Sequence, residues 1–84
     1  MTKDDVFGII KAQLLSIQPD LDPNRVTPNA SMRDLGVNSV DRADVIIQSM
    51  EALRLKVRLH EVGSLKDLQE LVNFFHARLP LAPR

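Results

Sequence analysis

The sequence predicts an all-α fold, a small bundle of three to four helices with a long loop between the first and second helices. Three observations carry this. Apolar residues recur at spacings of three and four in three separate stretches. Prolines stand at the end of the first stretch and after the last. The only stretch with strand-like alternation, Arg54 to Gly63, has no second strand to pair with. Eighty-four residues form a single domain over 1–84, with a core of about 4–79 and a frayed tail at 80–84.

The first helix is expected to start at Asp4 or Asp5, since acid in the first turn suits the positive end of the helix dipole. Val6, Ile10, Leu14 and Ile17 form its apolar stripe, widened by Phe7 and Ile9. It ends near Gln18-Pro19, because proline cannot continue a helix. From Pro19 to Asn38 the periodicity breaks. A loop this long in a small domain is either a disordered linker or a functional loop held down by its own apolar residues. Leu21, Val26, Met32 and Leu35 favour the second, and Gly36 supplies a backbone turn.

The second helix starts at Asn38, Ser39 or Asp41, all good N-caps, and runs to about Leu53. Its apolar residues cover more of the helical wheel than one core-facing stripe needs, so some face water or a partner. Arg54 to Gly63 reads as a short helical turn or an extended connector. Ser64 followed by Asp67 resembles a capping box for the last helix. Leu68, Leu71, Val72, Phe75 and Leu79 give that helix its stripe, and Pro80 and Pro83 end it.

Composition excludes several functions. Lysine plus arginine equals aspartate plus glutamate, eleven each, which argues against a nucleic-acid binder. The helix after Ser39 carries Asp41, Asp44 and Glu51 against Arg42 and Arg54, the wrong charge for a recognition helix of a helix-turn-helix DNA binder. The Arg54-Lys56-Arg58 alternation alone is too little to hold a nucleic-acid backbone. No cysteine is present, so any thioester chemistry must borrow a thiol. His60 and His76 lack ligand-type neighbours, and no metal site is expected. Asp34, Asp41 and Asp44 suit helix-end and solvated-face roles. No apolar run reaches membrane-spanning length, and Met1-Thr2-Lys3-Asp4-Asp5 is the reverse of a secretory leader. A cytoplasmic monomer with no membrane contact is expected.

The stretch with chemical meaning is Asp34-Leu35-Gly36-Val37-Asn38-Ser39-Val40-Asp41. A serine where a loop becomes a helix is exposed. A phosphate esterified to it would lie beside the unpaired first-turn N–H groups and the positive dipole end. On these residues the chain resembles the acyl carrier protein family, in which Asp-Ser-Leu marks the modified serine at the head of the second helix. Here the motif reads Asn38-Ser39-Val40, and the likeness in layout covers nearly the whole chain. The fold it implies is the acyl-carrier-type bundle. The family is non-catalytic, so no catalytic residue is expected. Ser39 would be the attachment site of 4′-phosphopantetheine, installed by a phosphopantetheinyl transferase and charged by an acyl-loading enzyme.

Two departures from the family pattern stand out. Asn38 replaces the usual aspartate, and the chain is neutral where the family is acidic. The run Asn38-Ser39-Val40-Asp41-Arg42-Ala43 is similar to the free-standing donor carriers of polyketide β-branching, which deliver acetyl groups to a synthase resembling hydroxymethylglutaryl-CoA synthase. Fatty-acyl or aminoacyl carriage, or a carrier fold without an arm, are the alternatives. The resemblance also turns Val45, Ile46, Ser49 and Leu53 inward, and Val40, Asp44, Ile47 and Glu51 outward beside Ser39. Val40 and Ile47 would then form an apolar recognition strip flanked by Asp44 and Glu51, with Arg42 and Met50 nearby setting specificity.

Overall fold

The computed structural model describes residues 1–79, and the tail expected to fray at 80–84, with Pro80 and Pro83, lies outside them. The first helix, α1, spans Lys3–Ile17. Its N-cap is Thr2, not Asp4 or Asp5. The Thr2 hydroxyl accepts the Asp5 N–H at 3.1 Å and the Asp5 carboxylate accepts the Thr2 N–H at 2.9 Å. This reciprocal pair satisfies two end groups at once, whereas an aspartate cap would satisfy one. The two bonds from Thr2, first the backbone N–H and then the hydroxyl, hold the Asp5 carboxyl below its ordinary pKa. Val6, Ile10 and Leu14 are buried, and the helix stops at Gln18, ahead of Pro19.

The loop that follows is pinned. A single 3₁₀ turn at Pro23–Arg25 starts from Asp22, whose carboxylate accepts the Asn24 N–H at 2.9 Å. Val26 is buried, and Leu21, Met32 and Leu35 pack against the core at partial exposure. Val37 joins them in the core. Residues 32–36 make a tight turn closed by Val37 N–H to Met32 carbonyl at 3.0 Å, with Gly36 in the left-handed region at φ +86°. The loop also caps the last helix. The carbonyls of Ala30 and Pro28 accept the Leu68 and Gln69 N–H groups at 2.9 and 2.7 Å. Those donors have no partner within their own helix, so a loop that supplies acceptors is held by hydrogen bonds as well as by burial.

Helix α2 spans Ser39–Leu53, with Asn38 as its N-cap. It ends in a six-to-one bond from Leu55 N–H to Met50 carbonyl at 2.8 Å. That closure needs a left-handed residue, supplied here by Arg54 at φ 58° where glycine is usual. The connector 55–58 is extended, with Leu55 and Val57 half-buried and Lys56 and Arg58 exposed, which accounts for the alternation. Helix α3 is one turn, Leu59–Val62. Helix α4 spans Leu68–Arg78 and buries Leu68, Leu71, Val72 and Phe75, with Leu79 partly covered just past its end.

The cap of α4 is Asp67, three residues later than expected. Ser64 belongs to the turn that leaves α3, where Leu65 N–H reaches the Val62 carbonyl. Asp67 accepts the Glu70 N–H at 2.8 Å, and the Glu70 carboxylate accepts the Lys66 N–H at 2.8 Å. The return bond goes to the residue before the cap, so the pair resembles the expected capping box without closing it on Asp67 itself.

Helix α1 packs on both α2 and α4, and α3 packs on α2. An ion pair of 3.9 Å from Arg78 to Glu61 joins α4 to α3, while the same guanidinium lies 3.5 Å from the Phe74 ring centre. Among the described residues no helix is long and apolar enough to cross a membrane.

Candidate functional site

Ser39 is the first residue of α2 and is exposed. Two features built from sequence place it there. Gly36 turns the chain in a conformation that other residues resist, and buried Val37 fixes the backbone immediately before the cap. Asn38 then closes the helix, its side-chain oxygen accepting the Asp41 N–H at 2.8 Å. The Ser39 hydroxyl makes no side-chain hydrogen bond to a histidine or carboxylate among the described residues. A serine without a base is not an activated nucleophile.

Arg42, one turn along, is half-buried, and its guanidinium donates to the Val37 carbonyl at 3.1 Å. This ties the side chain back across the loop–helix junction. Asp41 is half-buried and accepts from the Gln18 side-chain amide at 2.7 Å.

Beside Ser39 lies a groove of about 750 Å³. Its walls come from the loop after Pro28, one face of α2, α3, the turn before α4 and the start of α4. Met32, Ala43, Ile46, Val62, Leu68 and Leu71 line it with apolar surface, and Arg33, Asp34, Arg42, Ser64, Lys66 and Asp67 line it with polar groups. Polar and apolar surface line it in about equal shares, so the groove is wetter than a pocket with mainly apolar walls.

The outer face of α2 carries Val40 at 69% exposure and Ile47 at 38%, seven residues apart and so on one side of the helix. Asp44 and Glu51 are exposed, while Val45, Ser49 and Leu53 are buried and Ile46 is half-buried against the core. Met50 differs from the expectation. It is a core residue at 8% exposure, and a partner resting on the outer face would not reach it. The wheel explains why. Met50 follows Ile46 and Ser49 by four and one residues, within the buried arc of α2.

Three contributors were not anticipated from sequence. Gln18 reaches Asp41 across 23 residues of chain. Leu59 of α3 is 41% exposed and lines the groove. Arg33 comes to the groove from the loop. No local pattern signals any of these, because each depends on how the helices meet. His60 is exposed, and the His76 ring nitrogen lies 3.2 Å from the Met1 carbonyl. No cluster of three or more histidine, aspartate or glutamate side chains able to hold a metal occurs among the described residues.

Searched against family profiles, the chain matches none. It is 30% identical over 82 residues to the polyketide biosynthesis acyl-carrier-protein AcpK of Bacillus subtilis, covering 98% of this chain and 100% of that protein. It is 26% identical over 80 residues to an acyl carrier protein of Thermosynechococcus vestitus, covering 94% and 98%. Among solved structures it is similar to a chain in the complex of the curacin biosynthetic pathway HMG synthase with acetyl donor-ACP. That likeness has a TM-score of 0.84 and 36% identity, over 92% of this chain and 99% of that one.

Proposed function

From the premise that this chain belongs to the acyl carrier protein family, and is therefore a carrier and not a catalyst, we propose that Ser39 bears the phosphopantetheine arm and that the cargo is the acetyl group of polyketide β-branching. The observation that supports the attachment site is an exposed serine at the first position of α2. The observation that favours the acetyl-donor role is the 36% identity over almost the full length to a chain of a donor-carrier complex.

The arm supplies a thiol, which this chain lacks, on a long flexible tether. The chain's own residues do the rest. Asn38 caps the helix by taking the Asp41 N–H, which leaves the Ser39 and Val40 N–H groups nearest the serine oxygen, where an anionic phosphodiester is stabilised by about 0.3–1 kcal/mol. The groove beside Ser39 offers apolar wall for the tether and polar groups for its amides. Tethering replaces free diffusion with an effective concentration of order millimolar.

Val40 and Ile47 form the apolar part of the docking surface, with Asp44 and Glu51 at its margin. Arg42 contributes from the junction, held by the Val37 carbonyl. Docking of a carrier must be reversible, so a surface with few apolar contacts is appropriate. The partners in this reading are a phosphopantetheinyl transferase, an acyl-loading enzyme and an HMG-CoA synthase-like enzyme, all met in the cytoplasm by a carrier monomer.

The test is to install the arm in vitro, load an acetyl group, and follow transfer to an HMG-CoA synthase-like enzyme by intact mass. Transfer from this carrier, and its loss in Ile47→Glu with arm attachment and fold intact, is the expected result. Equal transfer by Ile47→Glu removes the strip from the docking surface. Acceptance of the arm without acetyl transfer removes the donor role and leaves the carrier.

A further inference from the structure

We propose that Arg42, backed by Arg33 and Lys66, binds the phosphodiester of the arm on Ser39. The proposal rests on the reading of Ser39 as the attachment site and goes beyond it, by assigning residues that hold the attached group. The groove that contains Ser39 is lined by three cations, Arg33, Arg42 and Lys66, and by two carboxylates, Asp34 and Asp67. Its walls therefore have one net positive charge, in a chain whose formal net charge is zero. A phosphodiester has one negative charge. The surplus on the wall matches the group that Ser39 would bring.

None of the three cations is neutralised by a carboxylate. Among the described residues the one ion pair joins Arg78 to Glu61, neither of which lines the groove. The acids nearby are engaged elsewhere or face water. Asp67 caps α4, its carboxylate accepting the Glu70 N–H at 2.8 Å. Asp41, in the first turn of α2, accepts from the Gln18 amide at 2.7 Å. Asp44 is exposed and does not line the groove, and Asp34 is exposed. Cations that share a wall without partners repel one another, and an anion placed among them relieves that repulsion.

Arg42 is the member suited to direct contact. Residues three apart on a helix are neighbours, so Ser39 and Arg42 lie one turn apart on one side of α2. Arg42 is half-buried, and its Nη1 donates to the Val37 carbonyl at 3.1 Å. That bond fixes the side chain yet uses one of several donors and none of the charge. A guanidinium already held in place loses little rotamer freedom when it takes an anion, and its fork suits the two free oxygens of a phosphodiester. Arg33 and Lys66 are exposed and act through their field. The Ser39 and Val40 N–H groups add a share that no side-chain substitution removes.

Arg42 also belongs to the proposed docking surface, and the two roles are separable. A docking role shows only with a partner enzyme present. Phosphodiester binding shows in the carrier alone, as a difference between its unmodified and armed forms. A loss of stability from breaking the Val37 bond is common to both forms and cancels in that difference.

The experiment is therefore a cycle between the arm and the side chain, read without a partner. Wild type, Arg42→Gln, Arg42→Lys and Arg33→Gln/Lys66→Gln are armed to completion with coenzyme A and a phosphopantetheinyl transferase, and intact mass confirms one arm on each. Completion makes the readout independent of how fast the transferase works. Tm is then measured for both forms of each protein at low and high salt, and the Arg42 Nε resonance is followed in wild type. At low salt the arm is expected to raise Tm by about 2–4 °C more in wild type than in Arg42→Gln. Arg42→Lys keeps about half of that difference, since it keeps the charge without the fork. Arg33→Gln/Lys66→Gln loses a smaller part. The difference vanishes near about 1 M salt, where the Debye length falls to about 3 Å. The Arg42 Nε resonance moves on arm attachment, a readout that needs no variant. Equal arm-induced shifts in wild type and Arg42→Gln, or an Nε resonance that stays in place, overturn the proposal and leave Ser39 as the attachment site. Wild type that takes no arm on Ser39 overturns the attachment reading itself.

Discussion

Two glycines make a controlled experiment on the junction that delivers Ser39. A methyl group added at Gly8 or at Gly36 would touch nothing within 4 Å. Sterically the two sites are equivalent, so any difference between their alanine variants comes from the backbone. Gly8 lies inside α1, where alanine is favoured over glycine by about 0.8–1 kcal/mol. Gly36 has φ +86°, in the left-handed region, where a Cβ atom costs about 1–2 kcal/mol. Gly8→Ala is therefore stabilising and Gly36→Ala destabilising, with a separation of roughly 2–3 kcal/mol. For a domain of this size that is a difference of about 10 °C or more in Tm. Urea melts with a shared slope, backed by calorimetry, measure both changes. Equal signs for the two variants, or a Gly36→Ala protein as stable as wild type, would refute the claim that a left-handed turn is required before the serine.

Other perturbations read other parts of the structure. Ser49 is fully buried and its hydroxyl has no hydrogen-bond partner among the described residues. Ser49→Ala should raise stability by about 1 kcal/mol in a urea melt, and a loss of similar size would mean that the hydroxyl is satisfied in solution. Met50→Ala should cost about 2–4 kcal/mol because the side chain is core. Ile47→Ala should cost well under about 1 kcal/mol because that side chain is partly in water, so equal costs would contradict their assignment to different faces. The capping bonds at Thr2 hold the folded-state pKa of Asp5 below its unfolded value. Their contribution is present in full above the ordinary carboxylate range and is lost as pH falls through the lowered value. Protection of the amides at the start of α1, taken relative to the intrinsic exchange rate at each pH, should fall over that acid range in wild type and show no such step in Asp5→Asn.

Much of this was legible in the residues. Ser39, its loop–helix junction and the apolar loop anchors could be read because each depends on local pattern: a cap, a glycine, a break in periodicity. The surplus apolar residues of α2 could be divided into inner and outer sets only by the family likeness. Met50, expected to set specificity beside the strip, is instead buried, since a residue at the edge of an arc is assigned by the partner helix and not by its own period. The caps at Thr2 and Asp67 were displaced by a few residues for a related reason. Several side chains in each stretch can cap, and the choice among them depends on reciprocal bonds and on where the preceding turn ends. Gln18 was illegible altogether. Its role exists only once α1 and α2 are side by side, and glutamine before proline has no other mark in the sequence.

The central claim concerns one oxygen atom. Incubation with coenzyme A and a phosphopantetheinyl transferase, followed by intact-mass measurement and peptide mapping, tests it most directly. The account predicts addition of a single arm, localised to Ser39 and abolished in Ser39→Ala. An unchanged wild-type mass, or an arm that persists in Ser39→Ala, would contradict it.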